Sequence, residues 1–162
     1  MRKNSLDFLL TQHYNCVMIP SFIDIGGPWN VLPPGIHDAT LDEVEDRFTG
    51  SDHRKLLFSG LKRGIDNLIR AGCKEILLNG SFVTEKPVPG DYDLCWHPDG
   101  VDYTKLDPVF LDFSNKREKQ KNSYKGEYFP ASSLADGAFS FCDFFQIDRD
   151  TGKAKGIIRI RL

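Results

Sequence analysis

"LLNGSFVTEKPVPGDYDLCW" runs from Leu77 to Trp96. Two short apolar runs, "KEILLNG" and "DYDLCWH", flank a loop holding Pro87, Pro89 and Gly90, which is too rich in helix breakers for anything but strand, loop, strand. Side chains alternate across a strand, so Asp91 and Asp93 share one face while Tyr92 and Leu94 take the other. Two carboxylates side by side among apolar residues repel each other and lose water, and a positive charge between them relieves both costs. A divalent cation with oxygen ligands meets the need, and Mg²⁺, or Mn²⁺ in its place, characteristically uses one or two carboxylates plus substrate phosphates. The plainer alternative is a Pro-Gly turn with a solvated acid on each side.

Gly80 and Ser81 supply the complementary half. Glycine lets backbone approach a ligand closely, and the serine hydroxyl with neighbouring amides suits phosphate oxygens. A two-metal displacement wants a third carboxylate. "GAFSFCDFFQID" (137–148) reads as a long strand with Asp143 alone among aromatics, and a strand paired beside "DYDLCW" would bring Asp143 to Asp91 and Asp93. The competing role for Asp143 is an ion pair with Arg159 or Arg161. Asp148 and Asp150, by contrast, read as turn residues.

Around this centre the sequence predicts an α+β domain with a mixed sheet and helices mainly on one face. Leu56, Leu57, Leu61, Ile65, Leu68 and Ile69 recur at helical spacing over residues 52–71, with a stop at Gly72. Thr40 and Glu43 fit a capping box opening a helix to about Phe48. Residues 18–39 read as an extended Pro/Gly-rich arm, and "NKREKQK" (115–121) as a solvated charged loop. "GIIRIRL" (156–162) is expected to form a hairpin with the 137–148 strand across "RDTGK".

Composition narrows the function classes. A net charge of −2 over 162 residues gives no general field for polyanions, so a nucleic acid would have to be gripped locally. Four scattered cysteines without a C-x-x-C and four histidines without metal spacing argue against zinc. No apolar run reaches the roughly 20 residues of a membrane span, and the expectation is a reduced cytoplasmic protein with free thiols.

"NGSFVTEKPVPGDYDLCW" with "CDFFQID" resembles the nucleotidyltransferase superfamily pattern of Gly-Ser, Asp-x-Asp after a loop, and one acid on a later strand. The stretch from about residue 19 to Leu162 also resembles the small prokaryotic and phage proteins of the DUF6932 group. The resemblance implies a minimal, DNA polymerase β-like nucleotidyltransferase domain over residues 40–162. Gly80, Ser81 and Lys86 would hold phosphates, and Asp91, Asp93 and Asp143 would hold Mg²⁺ or Mn²⁺ and carry catalysis. The reaction implied is transfer of an NMP from an NTP to a hydroxyl of RNA, protein or a small molecule. Without a helical C-terminal domain, a protein partner would complete the cleft. The second function class is a non-catalytic nucleotidyltransferase-fold partner in a toxin–antitoxin or phage-defence pair.

Residues 1–17 carry neither motif nor strong periodicity and read as a dispensable extension. Deleting them is expected to leave the thermal midpoint within about 2 °C, a shift that corresponds to a fraction of a kcal/mol in a domain of this size; a larger drop in a melting scan would contradict the assignment.

Overall fold

A computed structural model describes residues 19–133, 135 and 139–162; the expected 1–17 extension lies outside them. Strand β1 (Gly35–Asp38) follows the Pro/Gly-rich arm, then come helices α1 (Leu41–Phe48) and α2 (Asp52–Arg70) and strands β2 (Glu75–Asn79) and β3 (Tyr92–Trp96). Helix α3 (Ser114–Tyr124), β4 (Gly126–Pro130), the short α4 (Phe141–Phe144) and β5 (Gly156–Arg161) complete the order. The strands form one mixed sheet in the order β1-β5-β2-β3-β4, with β2 antiparallel to β3 and β5, and with β1–β5 and β3–β4 parallel.

The local signals at the helix ends work as the sequence predicts. Thr40 accepts from the Glu43 amide at 3.2 Å, and the Glu43 carboxylate accepts from the Thr40 amide at 2.7 Å, closing the capping box of α1. Ser51 caps α2, and Gly72 leaves it with a φ of +91°. Leu57, Leu61, Ile65 and Leu68 of α2 bury against one face of the sheet, where they meet Ile76, Leu78, Tyr92, Leu94, Trp96, Tyr128, Ile158 and Ile160. The helix lies so close that a Cβ at Gly64 would collide with the Tyr128 hydroxyl. That hydroxyl is 2.6 Å from the Tyr92 hydroxyl, which donates to the Tyr124 carbonyl at 2.7 Å, so the phenols crossing the core keep their polar ends paired.

Two expectations are corrected. The segment around Phe141 is not a strand beside β3 but the one-turn helix α4, and the chain after it meets the stretch before β5 in an isolated antiparallel bridge, Ile147 with Ala154. Aromatics at 141 and 145 fit a helical turn as well as a strand. Ser140 decides between them, because its hydroxyl accepts from the Asp143 amide at 3.2 Å and caps the turn. The place next to β3 belongs to β4, which follows the run that reads as a solvated charged loop. That run is itself helix α3, pinned by the fully buried Gln120, which donates to the carbonyls of Phe110 and Asp112 and accepts from the Tyr128 amide. Val31 and Leu32 of the extended arm are buried, and the arm ends as edge strand β1. The described cysteines Cys73, Cys95 and Cys142 are free thiols, and no helix among the described residues is long and apolar enough to cross a membrane.

Arg54 joins α2 to the loop between β2 and β3. Only 9% exposed, it donates to the carbonyls of Phe48 (3.2 Å), Phe82 (2.7 Å), Thr84 (2.9 Å) and Lys86 (2.6 Å). Removing it leaves four carbonyls facing a void, and a hydrogen bond to a charged group contributes roughly 1.5–3 kcal/mol. Arg54→Ala is therefore expected to lose about 3 kcal/mol in urea unfolding, and Arg54→Lys most of that, because an ammonium cannot fork between four acceptors. A loss below about 1 kcal/mol for both variants would show that the loop holds itself.

Candidate active site on the second face of the sheet

Because Tyr92, Leu94 and Trp96 enter the core with α2, Asp93 and Cys95 must point to the other face. There Leu77, Cys95, Phe129 and Ile157 form a small apolar cluster covered by Phe141, Cys142 and Phe145 of the α4 region. Next to this cluster lies a polar row. Asp93 is in register with Asn79 on β2 and with Glu127 on β4, so three oxygen-bearing side chains cross the sheet side by side, with Asp91 entering from the residue before β3.

The electrostatics of the row follow from its burial. Asp93 is raised to about 7, first by burial and then by the charges of Asp91 and Glu127. Asp91 is also raised, by burial and then by Glu127. Asn79 is fully buried, and its Oδ1 has no hydrogen-bond partner. Cations surround these groups without cancelling them. Lys121 pairs with Glu127 at 3.0 Å, Lys121, Lys86 and Arg149 act favourably on Asp91, and Lys155 and Arg149 act on Asp93.

The Gly80–Ser81 turn abuts the row. Gly80 has φ +83° and ψ −170°, a conformation open essentially to glycine alone. A Cβ there would run into the Asp93 carboxylate. Ser81 opens a single 3₁₀ turn to Val83, with the Thr84 hydroxyl donating to the Ser81 carbonyl at 2.7 Å.

The structure thus brings together Gly80, Asp91 and Asp93, with Ser81 next to them in the chain and Lys86 within electrostatic reach of Asp91. It does not bring Asp143 into the same group. Asp143 is exposed on α4 and accepts from the Ser140 hydroxyl at 2.7 Å. Among the described residues no three His, Cys, Asp or Glu side chains converge as ligands of one ion. Nor does Asp143 pair with Arg159, which instead forms a two-pronged ion pair with Asp38 at 2.5 and 2.9 Å. Asp148 accepts from the Thr151 amide and hydroxyl, as expected of a turn residue. His97 sits at the end of β3 beside Glu75, 3.4 Å away.

Three residues escape the sequence reading. Glu127 is a lone acid between Gly126 and Tyr128 in a run that alternates like a strand, but it follows five lysines and arginines within eleven residues that suggest a loop. Arg54 falls on the apolar stripe of α2, one turn before Leu57 and Phe58, a position where a charge signals a buried partner. Lys155, half-buried and lowered by that burial, precedes β5 where the pattern promises only a hairpin.

Residues 27–161 match the family of unknown function DUF6932, and the chain belongs to that family. No curated protein and no solved structure matches the chain.

The raised Asp93 carboxyl has a consequence for stability. Unfolded, it releases its proton near the ordinary value of about 3.9; folded, it keeps the proton until about 7. The folded state binds more protons in that window, so stability falls as pH rises from about 4 to about 7 and levels off above. After allowance for solvent at a half-buried group, the expected loss is about 2 kcal/mol. Urea unfolding of Asp93→Asn in metal-free buffer should lack this decline and be the more stable protein at pH 8. Parallel pH profiles for the two proteins would refute the assignment.

Proposed function

We propose that this member of the DUF6932 family is a nucleotidyltransferase that moves an NMP from an NTP to an acceptor hydroxyl. The observation that supports it is the contact between the Gly80 backbone and the Asp93 carboxylate, which sets a turn suited to phosphate oxygens directly against a row of acids suited to a hard cation. The donor set fits Mg²⁺ or Mn²⁺. Asp91 and Asp93 offer two carboxylates, the number Mg²⁺ uses when phosphates and water complete its shell, and the orphaned Asn79 Oδ1 adds a further acceptor facing the same need for positive charge. Bound there, the ion supplies Lewis-acid stabilisation of charge on the transferring phosphoryl group and on the departing pyrophosphate.

The chain's own groups do the rest. Ser81 and the amides after Gly80 hold phosphate oxygens, and Lys86, Lys155 and Arg149 add positive charge around a tetra-anionic substrate. Arg54 keeps this loop in one shape by holding the carbonyls of Phe82, Thr84 and Lys86. The acceptor oxygen bonds to the α-phosphorus, the bond from that phosphorus to the pyrophosphate oxygen breaks, and the hydroxyl proton passes to a carboxylate. Glu127, on the strand at the sheet's edge, is the acid best placed to take it without giving up a metal ligand.

The test combines thermal shift with label transfer. Each NTP with Mg²⁺ or Mn²⁺ is added to the wild type, and radiolabel from α-³²P-NTP is followed in total RNA and cell extract. At about 100 times Kd the nucleotide should contribute about 2.7 kcal/mol and raise the melting temperature by several degrees. Asp91→Asn and Asp93→Asn should abolish both the metal-dependent shift and the labelling while keeping the free fold. Ser81→Ala should weaken nucleotide binding and spare the response to Mn²⁺ alone. Absence of stabilisation and of labelling with all four nucleotides and both metals would overturn the reading.

A further inference from the structure

Arg117 occupies an unusual place. Its guanidinium lies 4.0 Å from the centre of the Phe129 ring, 5.1 Å from Phe113 and 5.9 Å from Phe141, on the face of the sheet that carries Asp93 and Glu127. Its Nε is shielded from solvent and unpaired. Among the described residues no guanidinium nitrogen of Arg117 makes a hydrogen bond or ion pair. A guanidinium carries five N–H donors in a rigid fork, and leaving a shielded donor unmet costs roughly 1–3 kcal/mol.

The backbone that delivers it is strained. Asn115, Lys116 and Arg117 have φ of +47°, +55° and +57°, three successive left-handed residues with side chains, each costing roughly 1–2 kcal/mol. They break the start of α3, whose regular turns follow. Neutralising the acid row does not account for this arrangement. Glu127 already has Lys121 at 3.0 Å, and Arg117, though close enough to feel the charges of Glu127 and Asp93, forms no ion pair with either. The aromatic shelf fixes the plane of the fork and leaves its donors unused, which is the arrangement that two-pronged recognition of a phosphate requires.

We propose that Arg117 is the polyphosphate-gripping residue of this site, its fork held ready on the Phe113, Phe129 and Phe141 shelf for the phosphates of the nucleotide. This rests on the nucleotidyltransferase reading for the identity of the ligand, whereas the chemistry recognised, a polyphosphate, does not depend on it. Lys86 and Lys155 act as point charges, while Arg117 fixes the direction in which the polyphosphate tail lies.

The experiment measures binding of ATP, inorganic tripolyphosphate and adenosine by calorimetry, with Mg²⁺ present, to the wild type, Arg117→Gln and Arg117→Lys. Label transfer and the melting temperature of each free protein are followed alongside. The expected result is at least 10-fold weaker binding of ATP and tripolyphosphate in both variants, undetectable adenosine binding throughout, and Arg117→Lys melting within about 2 °C of the wild type. The lysine variant keeps the charge and the stem, so its loss isolates the fork. Unchanged affinity in the lysine and glutamine variants, with label transfer intact, would overturn the role of Arg117 and leave the nucleotidyltransferase reading standing. Tripolyphosphate binding that depends on Arg117, without label transfer from any nucleotide, would uphold the inference and sink that reading. No binding of ATP or tripolyphosphate to the wild type would overturn the inference outright.

Discussion

The pleat of β3 is the constraint on which the rest depends. Tyr92, Leu94 and Trp96 are all fully buried beneath α2, and together they fill the centre of the main core. Once they are inside, Asp93 has to face the other way, and with β2 and β4 on either side it cannot escape to an edge. A slip of one residue would bring relief to the carboxylate only by expelling three large aromatic and aliphatic side chains into water, at roughly 1.5–3 kcal/mol each. The core therefore enforces the burial of the acid, and the raised Asp93 carboxyl is where that compulsion is felt.

What surrounds the acid is correspondingly rigid. The loop after β2 has no regular structure beyond one 3₁₀ turn, yet Arg54 collects its carbonyls from 28 to 32 residues away in the chain. The three tyrosines 92, 124 and 128 tie β3, β4 and α3 together behind the sheet. Side chains of the row thus stand on strands and on a pinned loop, which holds their relative positions far better than free loops do.

These features differ in how far they can be read from sequence. The helices α1 and α2, the pairing of β2 with β3 and the shared face of Asp91 and Asp93 all rest on local signals: a capping box, a 3.6-residue apolar stripe, a Pro-Gly loop between two apolar runs. The neighbour of β3 does not. "FSFCDFFQ" outweighs "GEYFP" in aromatic content, but a serine cap turns the first into helix α4, and only the parallel pairing of β4 reveals the second. Glu127 was hidden for the same reason, since its meaning comes from a partner 34 positions away in register. Arg117 could not be found by pattern at all, because the left-handed backbone that aims it leaves no trace in residue types; asparagine at 115 is the only one of the three that tolerates that region well.

The two signs of charge in the site remain separately unsatisfied, and that is its most informative property. Lys121 meets Glu127, but Asp91 and Asp93 stay raised because burial, the largest influence on both, outweighs every lysine and arginine near them. Lys155 is lowered, again by burial before any charge, although Asp93 and Asp148 pull it upward. If these groups existed only to neutralise one another, direct ion pairs would lower the acids and raise the lysine, as happens at the other end of the sheet, where Arg159 lowers Asp38 and Asp38 raises Arg159. Here, apart from Lys121 with Glu127, acids and bases are held on one face without closing on each other. A lone cation would satisfy the first set and leave the second in want of an anion; a lone anion would do the reverse. The ligand we propose, a divalent ion together with a polyphosphate, carries both signs and would answer the whole face at once.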